Sequence, residues 1–220
     1  MRLLKLIRQN PSARYLTPLL VFLTLTSFQG SATSESIFWM YTIKTLLTGM
    51  ALLYCFHGHW REIQGKFDWL AVGIGILVLV IWILPETLFP EERAIAFNPM
   101  VFDSPIEKIV AIFFRMLGAC LIVPVVEELA WRSFLMRYLI RTDFLSVPLG
   151  TYRPLSFWVT AGSFALMHAS WQWPVALVTG IFYGGYLIKT KNLAGCMIAH
   201  ATTNLGLAIF VLATGQWKFW

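Results

Sequence analysis

Glu127 and Glu128 are adjacent carboxylates in an otherwise apolar run that starts Pro124-Val125-Val126 and continues Leu129-Ala130-Trp131-Arg132. Ionisable side chains inside membrane segments are costly and are read as functional by default. Two ionised carboxylates side by side repel each other, and a carboxylate held close to neutrality makes a good general base. Arg132 comes four residues after Glu128, so on a helix the two share a face and can pair. Glu127 then projects about 100° away and is left for another partner. The plainer reading of Glu128 and Arg132 is a structural ion pair locking two helices.

Two further clusters carry chemistry. His168 ends the string Phe164-Ala165-Leu166-Met167-His168, near the end of an apolar segment. A lone histidine there is more often a hydrogen-bonded core residue than a base. His200 and Asn204 lie one helical turn apart and share a face. Both can donate to one oxygen, as an oxyanion hole requires; the structural alternative is hydrogen bonding between helices. Measured from the nearest flanking basic residues (Arg141, Arg153 and Lys191), Glu127, His168 and His200 fall at depths of about 21, 22 and 14 Å. All three depths are inside a membrane, so the clusters can meet in one water-filled cavity.

The positioning elements are membrane helices. Of 220 residues, 58% are hydrophobic and 13% charged, against about 25% charged in soluble domains. Apolar runs at 15–30, 37–56, 69–84, 109–141, 154–169, 174–189 and 193–214 read as helices, because in lipid only helices and closed barrels satisfy their backbone. The expectation is an all-α, polytopic membrane helical bundle of about seven to eight transmembrane helices. It forms a single membrane domain over 1–220, with 1–108 free of motifs and 109–214 as a core. The N-terminal basic stretch and first apolar run resemble a signal peptide, but apolar segments continue to the end, so 15–30 reads as a retained first helix.

Charge alternation predicts a cytoplasmic N-terminus. Arg61, Lys66, Arg137, Arg141, Arg153, Lys189 and Lys191 fall on that same side if 109–141 crosses once. As a helix that segment is about 50 Å long and must tilt, bend or begin in the interface, with Pro124 a candidate kink. A separate crossing over 109–123 is the alternative. The proline-rich, acidic gap 85–108 reads as a loop. Trp60, Trp69, Trp158, Trp171, Trp173, Trp217 and Trp220 fit an interfacial belt. Lys44 reads as snorkelling or pairing with a neighbouring helix, Arg115 as approaching the interface, and Gly180-x-x-x-Gly184 as a close-packing surface. The net charge of +6 orients helices and meets anionic lipid rather than nucleic acid. Cys55, Cys120 and Cys196 form no CxxC pair and read as buried apolar residues. No P-loop or Rossmann glycine pattern is present, so no nucleotide is expected.

Glu-Glu-x-x-x-Arg, Phe-x-x-x-His and His-x-x-x-Asn, in this order on successive apolar segments, resemble the CAAX protease and bacteriocin-processing family. This is also called the ABI family of intramembrane glutamic endopeptidases, and it includes the type II Ras-converting CAAX endopeptidase. The resemblance covers about 109–214, is nearest to the small prokaryotic members, and matches at Glu127, Glu128, Arg132, Phe164, His168, His200 and Asn204. It implies an intramembrane peptide hydrolase in which Glu127, helped by His168, activates water. His200 and Asn204 stabilise the oxyanion; Glu128 shares the carboxylate role or, with Arg132 and Phe164, orients the site. The implied substrate is a membrane-embedded or lipidated peptide, a prenylated CAAX peptide among the possibilities. The implied location is a prokaryotic cytoplasmic membrane. HExxH is absent and each helix offers one imidazole, so a site without metal or other cofactor is expected. The competing readings are a catalytically silent scaffold or immunity protein, a zinc protease, and a small transporter.

Overall fold

The computed structural model describes residues 2–29, 34–63, 65–88 and 97–220, and among them the regular structure is helical. The helices are α1 (Arg2–Gln9), α2 (Pro11–Gln29), α3 (Ser34–Phe56), α4 (Trp69–Leu88), α5 (Pro105–Tyr138), α6 (Pro154–Leu166), α7 (Trp173–Thr190) and α8 (Leu193–Thr214). Ser36–Phe56, Trp69–Glu86, Pro105–Tyr138 and Leu193–Thr214 are long and apolar enough to cross a membrane. The polytopic helical bundle expected from the sequence is therefore what the chain forms. α6 is apolar but has only 13 residues, about 20 Å against a hydrocarbon core of about 30 Å.

Local sequence accounts for the helix ends. Proline occupies the first turn of α5, α6 and α7, where its missing N–H costs nothing. Asn192 caps α8, its side-chain oxygen accepting from Gly195 N–H at 3.1 Å. Gly215 ends α8 with φ 67°, the left-handed closure that glycine adopts without strain. α4 runs through Pro85 to Leu88, so the loop read from 85 onward starts later; Pro90 and the rest of 89–96 lie outside the described residues.

Residues 105–138 form one continuous helix, so no separate crossing exists over 109–123. Two wide π segments, Leu117–Ile122 and Leu129–Leu135, interrupt its α-helical winding. The first sits just before Pro124. A wide turn there moves the backbone away from the proline ring, which in regular winding collides with the carbonyl four residues back.

α2 packs on α3, α4 on α8, and α6 on α7, while α5 touches α2, α3, α6 and α8. The main core gathers Leu129, Phe134, Phe144, Phe164, Tyr183 and Leu187 around α5. A smaller core joins Phe38, Tyr41, Phe97, Phe102, Val211 and Trp220. Large apolar side chains such as Leu53, Ile76, Leu84, Ile109, Phe113 and Ile209 point outward, as a lipid-facing surface requires. Gly180 and Gly184 let α7 approach α6: an added Cβ would lie 3.1 Å from Ala161 Cα and 2.9 Å from the Phe157 ring. Lys44 is buried; its ammonium donates to Thr26 on α2 at 3.1 Å and stands 4.6 Å from the Phe22 and Tyr41 ring centres. It thus pairs with a neighbouring helix. Arg115 lies among the rings of Tyr41, Phe97 and Trp220.

Candidate active site

α5 carries both carboxylates but gives them different surroundings. Glu128 has 0% exposure and Arg132 1%. Arg132 Nη1 donates to Glu128 Oε1 at 3.2 Å, and Nε stands 3.2 Å from Oε2 as an ion pair without hydrogen-bond alignment. The guanidinium lies over the Phe164 ring at 4.5 Å and near Tyr183 at 5.5 Å. From α8, His200 Nδ1 reaches Glu128 Oε1 at 2.9 Å. Glu128 thus joins α5 to α8, and the structural pair anticipated for Glu128 and Arg132 is present with a histidine added.

Glu127 is half-buried and makes no hydrogen bond or ion pair with any described residue. It lines a cavity of about 130 Å³ together with Phe164, His168, Tyr183, His200 and Asn204. At about 30 Å³ per water, this space holds a few waters, and it is smaller than a typical small-molecule pocket.

His168 lies beyond α6, in a bend, rather than within the helix. Its backbone N–H returns to Ala165 O at 3.0 Å, and Trp173 Nε1 donates to its carbonyl at 3.1 Å. Trp173 therefore ties down the loop that presents His168, a role beyond interfacial anchoring. The imidazole is flanked by Phe164 and Trp82, with ring centres 4.8 and 5.6 Å away. Nδ1 is 2.9 Å from Phe164 O. A carbonyl only accepts, so Nδ1 carries a proton; in the neutral ring Nε2 keeps its lone pair.

The same reasoning applies to His200. Nδ1–H donates to the Glu128 carboxylate, so Nε2 is an acceptor in the neutral ring and a donor only when the ring is doubly protonated. Asn204 is partly committed as well: Nδ2 donates to Ala119 O at 2.7 Å. Within the first π segment, Val123 N–H bonds to Gly118 O, five residues back. The next donor in that register would be residue 124, a proline without an N–H. Ala119, the carbonyl it would have served, accepts from Asn204 instead. One amide N–H of Asn204 remains for the cavity.

Several cavity residues went unrecognised in the sequence. Trp82 Nε1 donates to Thr179 Oγ1 at 2.8 Å. Thr203 Oγ1 is 2.8 Å from Gly75 O and 3.1 Å from Ala199 O, so the Tyr183 hydroxyl is the donor in its 2.7 Å contact with Thr203. Thr203 was within reach, sharing the His200 face three residues on. Trp82 and Tyr183 lie in apolar runs without a distinguishing pattern. Among the described residues, no group of three His, Cys, Asp or Glu side chains comes together as a metal-ligand set.

Residues 109–206 match the family described as type II CAAX prenyl endopeptidase Rce1-like. The match spans every motif residue, agrees with the resemblance those motifs carry, and supports a peptidase of an integral membrane family. No curated protein and no solved structure matches the chain.

Proposed function

We propose that the chain is an intramembrane glutamic endopeptidase that hydrolyses a peptide bond in a membrane-associated, lipidated substrate, with a prenylated CAAX-type peptide as the first candidate. The observation that carries this reading is the division between the two glutamates. Glu128 is occupied by Arg132 and His200, while Glu127 is unpartnered among the described residues and shares the cavity with His168.

In the proposed reaction, water lies between Glu127 and His168 Nε2. Glu127 takes its proton as the water oxygen attacks the scissile carbonyl carbon. The resulting oxyanion accepts from the remaining Asn204 N–H, and from His200 Nε2–H when that ring is doubly protonated. Glu127 then returns the proton to the leaving amide nitrogen as the C–N bond breaks. Glu128 and Arg132 hold His200 in place. The chain would work in a prokaryotic cytoplasmic membrane, with its N-terminus on the cytoplasmic side.

The test is proteolysis by purified full-length protein in detergent, using farnesylated, geranylgeranylated and unmodified CAAX peptides alongside other hydrophobic peptides. Wild type is compared with Glu127→Gln and His168→Ala, each with and without a chelator. The expected result is cleavage that survives the chelator and falls by about a hundredfold or more in both variants. Cleavage lost to the chelator would indicate a metal. Full activity in Glu127→Gln would remove Glu127 as the base.

A further inference from the structure

A larger cavity, of about 600 Å³, opens at the end of the bundle where Arg61 and residues 65–68 meet the α7–α8 junction. Its volume falls in the range of small-molecule sites. Arg61 and Lys66 line it from the α3–α4 connection and Lys191 from the α7–α8 junction, and the first turn of α8 begins at its wall with Leu193. The carboxylate on that wall, Asp68, is already engaged, accepting from Tyr186 O–H and from Leu70 N–H at 2.9 Å each. Among the described residues lining the cavity, three cations thus face one carboxylate.

The site is held in shape by specific contacts. Asn192 Nδ2 donates to Lys66 O at 2.8 Å, while Asn192 Oδ1 caps α8. The Lys191 ammonium donates to Gly150 O and keeps two further N–H bonds. A Cβ on Gly65 would lie 2.2 Å from Asn192 Oδ1, so only glycine lets this loop lie so close to the helix start.

The rim carries a second kind of signal. Phe67 and Trp69 are 60% and 76% exposed and contact each other edge to face, with ring centres 5.0 Å apart. An exposed aromatic pair at the start of a membrane helix fits the level of lipid headgroups. Cations inside the cavity and aromatics at its rim match an amphiphile: a phosphate within and a glycerol-acyl portion leaving past Phe67 and Trp69.

We infer that the cavity lined by Arg61, Lys66 and Lys191 binds the phosphate headgroup of an anionic phospholipid. The site is separate from the glutamate cavity, and its test reads binding rather than proteolysis. Arg61 and Lys66 have exposed side chains, so neutralising them spares the folded core.

Delipidated full-length protein is titrated with dioctanoyl phosphatidylglycerol or dioctanoyl phosphatidylcholine, and bound lipid is counted by native mass spectrometry. Wild type is expected to prefer phosphatidylglycerol. Arg61→Gln with Lys66→Gln should weaken that binding roughly twenty-five-fold, at about fivefold per cation near an anionic headgroup. Arg61→Lys with Lys66→Arg should retain it. Equal binding of the two lipids by wild type, or unchanged binding by the neutralised variant, would overturn the inference. Displacement by inorganic phosphate at matching concentration would instead make this a free-anion site and overturn the lipid assignment.

Discussion

Glu128 sits in the core with an arginine and a histidine on its oxygens, and Glu127, one residue earlier, faces a cavity with its oxygens uncommitted among the described residues. Substitutions at the two positions should therefore fail in different ways. Glu128→Ala leaves Arg132 buried without its counter-charge, which costs about 3–5 kcal/mol; denaturation in detergent should show a large drop in stability, with activity lost alongside. Glu127→Gln keeps shape and polarity and removes only the ability to take a proton. Its stability should stay within about 0.5 kcal/mol of wild type while hydrolysis disappears. A Glu127→Gln protein as unstable as Glu128→Ala would mean that Glu127 is structural too. His168 permits a similar separation. Its Nδ1 is held by Phe164 O, so His168→Asn keeps a donor near that carbonyl but provides no imidazole lone pair. It should fold normally and lose activity, as followed by thermal unfolding and peptide cleavage.

Among the elements, α5 determines the site's shape, and its wide turns link residues distant in sequence. Pro124 cannot serve the Ala119 carbonyl, and Asn204 does so from α8. A thermodynamic cycle follows. Asn204→Ala leaves a carbonyl short of a donor in an apolar setting and should cost about 1–3 kcal/mol. Pro124→Ala restores a backbone N–H that can reach Ala119, so in that background Asn204→Ala should cost much less. Unfolding of the four proteins measures the coupling; strict additivity would show that Asn204 and Pro124 do not share this carbonyl. The cycle also marks how far the sequence could be read. The apolar runs gave the helices because length and hydropathy are local properties, and the glutamates, histidines and Asn204 stood out because polar groups are rare in such runs. The π turns did not stand out: Leu117–Ile122 is as apolar as its surroundings, and its winding depends on Pro124 together with a donor from another helix. His168 was read near a helix end but not outside the helix, because its position depends on the Trp173 hydrogen bond across the loop. Trp82 escaped notice for the same reason, since nothing near it distinguishes a tryptophan lining a cavity from one facing lipid.

The whole molecule has two unlike ends. Arg8 Nη2 donates to His57 O, Asn192 to Lys66 O, and Lys191 to Gly150 O, so the N-terminal segment, the 57–68 stretch, the 141–153 loop and the α7–α8 junction gather at one end. This end carries Arg61, Lys66, Arg141, Arg153, Lys189 and Lys191. At the opposite end, Lys218 pairs with Glu86 at 3.3 Å and joins the ends of α8 and α4, while Asp103 and Glu107 lie at the start of α5. Charge counting along the chain treated these loops one at a time; among the described residues the packing assembles a basic face and an opposite one with charges of both signs. Because basic residues near helix ends are retained in the cytoplasm, the basic face should be cytoplasmic. Single cysteines can test this in a background with Cys55, Cys120 and Cys196 replaced by alanine. Thr142 and Thr214 are exposed at opposite ends. Thr142→Cys should react with a membrane-impermeant maleimide only after cells are opened, and Thr214→Cys should react in intact cells. The reverse pattern would invert the molecule, and labelling of both in intact cells would contradict a single crossing by α5. With the basic face inward, the start of α8 enters from the cytoplasm. His200 is seven residues beyond Leu193, about 10 Å along the helix, so the scissile bond of a substrate would have to enter the bilayer from that side. A peptide lipidated on the cytoplasmic side could do that by moving laterally along the membrane surface, without translocating a polar segment.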